Sequence, residues 1–106
     1  MTTLFAVLRT RGAAWDARLG LRQQALWNEH AAWVDAAGFT RLAGPLQDVP
    51  DVPIVVRADD ACDVETRMAA DRWTTSGHLT TTLIAAWDVL VGGSALAGGA
   101  ATRSVA

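Results

Sequence analysis

The pattern of side chains at the start of the chain predicts a β-strand. Residues 3–9 are rich in Leu, Phe and Val, a composition that suits a half-buried strand. In such a strand Leu4, Ala6 and Leu8 point to one face of a sheet, and the intervening residues point to the other face.

Three further segments have the composition of strands. Residues 39–46 end in Gly44-Pro45, which closes the segment, and residues 54–56 are all β-branched. Residues 79–91 are rich in Thr, Val and Leu and predict a fourth strand.

A helical pattern follows the first strand. Residues 21–37 place apolar side chains and His30 on one stripe, while Gln24 and other polar residues fall on the opposite side. Gly38 then provides a C-terminal stop, so we expect the helix to occupy the whole segment.

A second helix is predicted after the third strand. Asp59 or Asp60 can cap its N-terminus, and the pattern continues to about Ala70. Residues 71–78 contain Gly77 and are expected to form an irregular turn before the fourth strand.

The order of these elements predicts the fold. The sequence β-α-β-β-α-β is the split βαβ arrangement, which gives an α+β domain of ferredoxin-like topology. A four-stranded antiparallel sheet would carry both helices on one face and leave the other face open. Because that open face would expose apolar side chains, we expect a homodimer that covers it and encloses a cavity between two sheets.

Composition narrows the classes of function. The 106 residues carry a formal net charge of −2 with acids and bases interspersed, which argues against a nucleic-acid partner. The single cysteine, Cys62, permits no internal disulfide, and together with two distant histidines it does not favour a zinc site. The apolar start of the chain is too short to span a membrane, so we expect a cytoplasmic protein without a membrane partner.

The domain organisation is expected to be simple. Residues 1–91 contain every predicted element and form one domain. Residues 92–106 are mostly Gly, Ala and Ser without apolar periodicity, so we predict a flexible C-terminal tail.

Four short segments together resemble a known family. The segments are 27–33 (WNEHAAW), 37–46 with its Gly-Pro pair, 69–73 (AADRW) and 86–90 (AWDVL). Their order and spacing resemble the YciI-like (YCII-related) family over about residues 3–91.

The resemblance implies a fold, an assembly and a catalytic pair. Members have a ferredoxin-like fold and form a dimeric α/β barrel. A His on the first helix and an Asp after the second are proposed as their catalytic pair, and these positions match His30 and Asp71. The wider superfamily includes lactone isomerases and small monooxygenases, and a few family-like proteins act on chlorinated aromatic breakdown products. The family usually has Pro after the Asp, where this chain has Arg72.

His30 and Asp71 each have a structural interpretation beside the catalytic one. A histidine on an apolar stripe suits proton transfer near neutral pH, but it can also be a hydrogen-bonded core residue. An aspartate near it would orient the ring, yet a turn aspartate commonly binds nearby backbone N–H groups. The pairing of the two residues is implied by the resemblance alone.

Three other residues are candidates for binding a substrate. Arg9 ends the first strand and could hold a carboxylate, although strand-end arginines are more often surface residues. Trp73 could form a wall for an aromatic substrate or simply pack, and Ser76 could line a pocket or be solvated.

These residues lead to two hypotheses of function. The first is an enzyme without a cofactor or metal, which isomerises, eliminates or hydrolyses a small cyclic or aromatic organic acid or lactone through His30 and Asp71. The second is a non-catalytic, dimeric module that binds a small molecule or regulates another enzyme.

Overall fold

Four strands and three α-helices make up the fold. The computed structural model describes residues 3–93, apart from the side chain of Ala37. The strands are β1 (Thr3–Arg11), β2 (Thr40–Ala43), β3 (Asp51–Ala58) and β4 (Leu79–Ala86). The helices are α1 (Trp27–Ala37), α2 (Ala61–Ala69) and α3 (Arg72–Ser76), and a 3-10 turn covers Leu21–Gln23.

The strands form one antiparallel sheet in the order β2-β3-β1-β4. This arrangement confirms the predicted α+β class and four-stranded antiparallel sheet, and it is compatible with a ferredoxin-like fold. The two central strands, β1 and β3, are joined from Thr3–Ala58 to Thr10–Asp51. A β-bulge shifts the β1–β4 register between Leu8 and Arg9.

The core lies on the face of the sheet that the helices cover. Alternate residues of β1 and β3 are buried there together with side chains of α2, because successive side chains of a strand point to opposite faces. Trp33 of α1 packs against this cluster. The buried cluster consists of Phe5, Val7, Phe39, Ile54, Val56, Ala58, Val64 and Met68.

The helix α1 begins later than its sequence pattern predicts. The pattern placed the start at residue 21, but residues 21–23 form a 3-10 turn and Leu26 adopts a left-handed conformation with φ of 64°. Gln24, predicted to face solvent, is only 3% exposed and donates through Nε2 to the carbonyl of Asp16 at 2.7 Å. This buried amide fixes the loop before the helix and so delays the helix start.

The segment predicted as an irregular turn contains the helix α3. Asp71 caps it by accepting a hydrogen bond from the backbone N–H of Trp73 at 3.1 Å, and Gly77 ends it with φ of 85°. A prediction of an irregular turn over residues 71–78 was therefore wrong, because the cap and the stop enclose one helical turn.

The strand boundaries also differ from the prediction. β3 begins at Asp51, three residues before the predicted 54, because its pairing with β1 extends to Thr10. β4 ends at Ala86 rather than 91, where its last pairing is with Phe5. β2 covers 40–43 rather than 39–46, because the proline of Gly44-Pro45 cannot donate to a ladder.

The helix α1 contacts the sheet less than α2 does. Its main element contacts are with the 3-10 turn and α3. The space that this leaves between α1 and the sheet becomes a cavity, described below. Within residues 3–93 no helix is long and apolar enough to cross a bilayer. The predicted tail, 92–106, lies almost entirely outside the described residues.

We predict that Gly12 is required where β1 meets the turn before β4. The N–H of Gly12 donates to the carbonyl of His78 at 2.9 Å, and a methyl group on Gly12 would collide with the backbone carbonyl of Gly77. Gly12→Ala should therefore lower the free energy of unfolding by about 1–3 kcal/mol in urea denaturation. Gly44→Ala is the control, since its added methyl group meets nothing within 4 Å, and a change larger than about 0.5 kcal/mol is not expected there. Equal effects of the two substitutions would contradict this assignment.

Candidate active site

Asp71 is the centre of the candidate site. It lies directly before α3, where its cap to Trp73 fixes the position of the carboxylate, and its side chain is 0% exposed. A buried carboxylate needs hydrogen bonds to compensate for the loss of water. Asp71 obtains them from β1, from α1 and from the backbone of α3.

Arg9 supplies the opposite charge. Its Nη1 donates to Oδ2 of Asp71 at 2.8 Å, and its side chain is also 0% exposed. Nη2 donates to the hydroxyl of Thr74, which in turn donates to the carbonyl of Met68 at 2.7 Å. The strand periodicity that turns Phe5 and Val7 toward the core also turns Arg9 inward. The guanidinium is therefore engaged with the protein itself.

His30 approaches Asp71 from α1. Its Nδ1 lies 2.9 Å from both Oδ1 and Oδ2 of the carboxylate. Because a carboxylate only accepts hydrogen bonds, we infer that Nδ1 carries a proton, so that in the neutral ring the lone pair is on Nε2. The ring is 13% exposed and lines a cavity, and Nε2 points away from Asp71 because of the shape of the ring.

Trp73 holds the imidazole from one face. The two rings are nearly parallel, at 8°, with centroids 4.0 Å apart. The indole N–H donates to the carbonyl of Ala25 at 2.7 Å, which ties α3 to the residues before α1. Trp27 and Trp33 also lie near the His30 ring, with centroids 5.8 and 6.1 Å away. The ring orientation of His30 is thus fixed by a hydrogen bond and by stacking.

The surroundings of Asp71 keep it ionised. Burial would raise the pKa of this carboxyl, but hydrogen bonds from His30, from Arg9 and from the N–H of Trp73 outweigh burial and lower its pKa below the ordinary value. With a neutral His30 the cluster of Arg9 and Asp71 has no net charge. Proton uptake by His30 would bring it to one positive charge.

A cavity of about 500 Å³ opens beside His30, a size within the range of small-molecule sites. Its lining is mainly apolar and includes four of the five tryptophans, which are Trp15, Trp27, Trp33 and Trp73. The charged side chains that line it are Arg9, Arg11 and Asp35. His30, a possible proton donor or acceptor, therefore faces a partly open cavity with a largely aromatic lining.

The predicted site residues divide into two groups. The structure brings Arg9, His30, Asp71 and Trp73 together around one carboxylate. Ser76 is elsewhere: its hydroxyl pairs with Nδ1 of His78 at 2.7 Å, and it does not line the cavity among the residues described.

Arg72 does not disturb Asp71. It is the first residue of α3, its side chain is exposed, and the part of the chain that is described shows no ion pair between it and Asp71. Proline suits the first position of a helix, and a residue with a free N–H is also accepted there. The cap by Asp71 therefore forms without the proline that the resemblance led us to expect.

Two participants were not singled out from the sequence. Thr74 is the second partner of Arg9, and Arg11 lines the cavity. The period-two spacing of Arg9 and Arg11 on β1 could have signalled that both point to one face. Thr74 gave no comparable signal. In the described residues no group of three or more His, Cys, Asp or Glu side chains could hold a metal ion.

Comparisons with protein-family models, with curated proteins and with solved structures found no match to this chain.

We predict that the charge of Asp71 makes stability depend on pH in the acid range. Because the folded-state pKa of Asp71 is lowered, its contribution is present above the unfolded value of about 3.9 and is lost as the pH falls through the folded value. Asp71→Asn should remove this dependence. The substitution should also lower the free energy of unfolding by about 3–5 kcal/mol near neutral pH, because Arg9 stays buried without its counter-ion.

The measurement is urea denaturation from about pH 3 to pH 7. Asp88→Asn is the control, since Asp88 is an exposed carboxylate. If Asp71→Asn and Asp88→Asn lose the same small amount of stability at every pH, the carboxylate of Asp71 does not have the role described here.

Proposed function

We propose that this protein is a YciI-like enzyme that performs acid–base chemistry without a cofactor on a small cyclic or aromatic organic acid or lactone. The observation that supports the proposal most is the hydrogen bonding of His30 Nδ1 to both oxygens of the buried Asp71, beside the cavity of about 500 Å³. The sequence resemblance supports the same pair.

In the proposed reaction His30 moves the proton. Nε2 accepts a proton from a carbon or oxygen of the substrate, and the C–H or O–H electron pair stays on the substrate. Asp71 stabilises the imidazolium through the bond from Nδ1 and keeps the ring in one orientation. Return of the proton to another substrate atom completes an isomerisation, and its delivery to a leaving group completes an elimination.

Arg9 is a positioning residue in this proposal. It neutralises Asp71 when His30 is uncharged, so the carboxylate does not require an imidazolium as its only counter-ion. Arg9 therefore holds the carboxylate in position for Nδ1 of His30. This is a different role from the substrate contact first considered for Arg9.

We also propose that the protein acts as a homodimer of the dimeric α/β barrel type. The face of the sheet opposite the helices carries exposed apolar side chains, with Leu42 61% exposed and Leu83 and Trp87 about half exposed. Ala6, Leu8 and Pro53 lie in a shallow groove on the same face. Burial of this surface against a second copy would remove apolar area from water.

The second candidate function is a non-catalytic module that binds a small ligand. The observation that favours it is the number of structural tasks of Asp71, which caps α3 and neutralises Arg9 as well as contacting His30. A carboxylate with those structural tasks would be needed for folding even in a protein that catalyses no reaction. The two candidates differ in whether turnover depends on Nε2 of His30.

We predict that His30→Gln lowers kcat/KM by about 10²–10⁴-fold on any compound that the wild type converts, because the general base is removed. The substrates to screen are unsaturated lactones and hydroxylated aromatic acids. His78→Gln is the matched control, because His78 stacks on the same Trp73 at 5.6 Å but pairs with Ser76 away from the cavity. Melting curves of both variants separate loss of activity from loss of folding. Full turnover by a folded His30→Gln protein would remove the proposed mechanism.

The oligomeric state gives a separate prediction. Leu83→Glu places a charge on the exposed apolar face of the sheet and should convert a dimer to a folded monomer, measured by size exclusion with light scattering. Ala32→Glu adds the same charge on an exposed position of α1 and should leave the dimer intact. A wild-type protein that is monomeric at micromolar concentration would contradict the proposed assembly.

A further inference from the structure

We infer that the cavity binds a planar aromatic monocarboxylate, with its carboxylate at Arg11 and its ring against the tryptophan wall. This inference rests on the proposed function, since it names the ligand class of the same cavity. It gives a role to Arg11, which has no part in the proposed acid–base chemistry.

The strand β1 presents two arginines to the same side. Arg11 follows Arg9 by two residues, so both side chains project from the face that α1 overlies. Arg9 is fully buried beneath the cavity, whereas Arg11 is exposed at its rim and lies opposite Leu79 of β4. The backbone N–H of Arg11 donates to the carbonyl of Pro50 at 3.1 Å, which fixes the point from which the side chain extends.

The two guanidinium groups differ in their availability for a ligand. The charge of Arg9 is neutralised by Asp71 at 2.8 Å. Arg11 makes no ion pair in residues 3–93, and neither does Asp35, the carboxylate that lines the cavity. Arg11 can therefore offer two parallel N–H groups to an incoming carboxylate.

An aromatic side chain holds the guanidinium of Arg11 in place. Its Cζ lies 4.8 Å from the centre of the Trp15 ring, a cation–π contact that leaves the outer N–H groups free for a ligand. Restriction of this side chain before binding reduces the entropy lost when a carboxylate is captured.

A continuous wall of rings connects Arg11 to His30. Trp15 meets Trp73 edge to face, with centroids 5.4 Å apart and planes at 80°. Trp73 then stacks on His30. A planar ligand whose carboxylate is held at Arg11 would lie along this wall and extend toward Nε2 of His30.

The charged and aromatic residues that line the cavity limit the class of ligand. Arg11 is the unneutralised cation among the described lining residues, because Arg9 is paired with Asp71, and the third charged lining residue, Asp35, is itself an anion. These features select one negative charge. Trp15, Trp27 and Trp33 are partly exposed and favour a flat, apolar body, which offers each ring an offset or edge contact. Trp73 is only 1% exposed and is covered by His30.

The test uses 2-naphthoate, with 2-naphthamide as the neutral probe of the same shape, titrated into the wild-type protein by calorimetry and by quenching of tryptophan fluorescence. We expect naphthoate to bind about tenfold or more tightly than naphthamide, the effect of one charge-assisted contact. Arg11→Gln should remove this difference, and Arg11→Lys should retain part of it. Arg22→Gln is the control, because Arg22 does not line the cavity and should leave both affinities unchanged.

Three binding results would overturn the inference. They are equal affinity of the wild type for the acid and the amide, unchanged binding of naphthoate to Arg11→Gln, and no saturable binding of either probe at millimolar concentration. Arg11-dependent binding without any turnover would support this inference and contradict the proposal that the protein is an acid–base enzyme. Turnover through His30 of neutral compounds alone would support the enzyme and remove the carboxylate site.

Discussion

The ion pair between Arg9 and Asp71 is the interaction on which the rest of the site depends. Both side chains are withdrawn from water, and two buried charges are tolerated only when their mutual attraction is supplemented by further hydrogen bonds. Asp71 receives these from His30 and from the N–H of Trp73, and Arg9 receives one more acceptor from Thr74. The geometry of the His30–Asp71 pair and the stability of the domain therefore have a common cause, and a change at this carboxylate affects both.

The three elements that meet at this ion pair also shape the cavity. α3 is only five residues long, but its cap and its indole connect it to β1 and to the loop before α1. α1 contacts α3 and the 3-10 turn, and its Trp33 packs against the core cluster. A space remains between α1 and β1, and it is lined by the aromatic rings that fix His30.

Local patterns predicted much of the fold but little of the site. The strands and α2 follow alternation, β-branching and an aspartate cap, which act over a few residues, and the structure contains those elements. The start of α1 depends on the left-handed Leu26 and on the buried amide of Gln24, which bonds a loop eight residues away. α3 is too short to show a periodic pattern. The sequence offers two interpretations of its cap, Asp71, a partner of His30 or an aspartate that binds nearby backbone N–H groups, and the structure shows contacts of both kinds.

The partners of Asp71 show why the contacts of the candidate site could not be predicted from the sequence. Arg9 is 62 residues away in the sequence and His30 is 41 residues away. No spacing rule relates residues that meet only after the sheet has assembled. The apolar stripe did indicate that His30 faces inward, but the choice of Asp71 as its partner came from the family resemblance. The sequence suggests that Arg9 binds the carboxylate of a substrate, and only the folded structure shows that its guanidinium is paired with Asp71.

The use of Arg9 within the protein has a consequence for the proposed chemistry. Because Arg9 and Asp71 cancel, a proton accepted by His30 leaves one uncompensated positive charge next to a largely apolar cavity. A ligand carboxylate held at Arg11 lies at the exposed rim of the cavity, where water weakens its attraction to an imidazolium farther inside. On this proposal the direct stabilisation of the imidazolium comes from Asp71 through Nδ1, and the carboxylate of the ligand fixes the position of its ring rather than compensating the charge of His30.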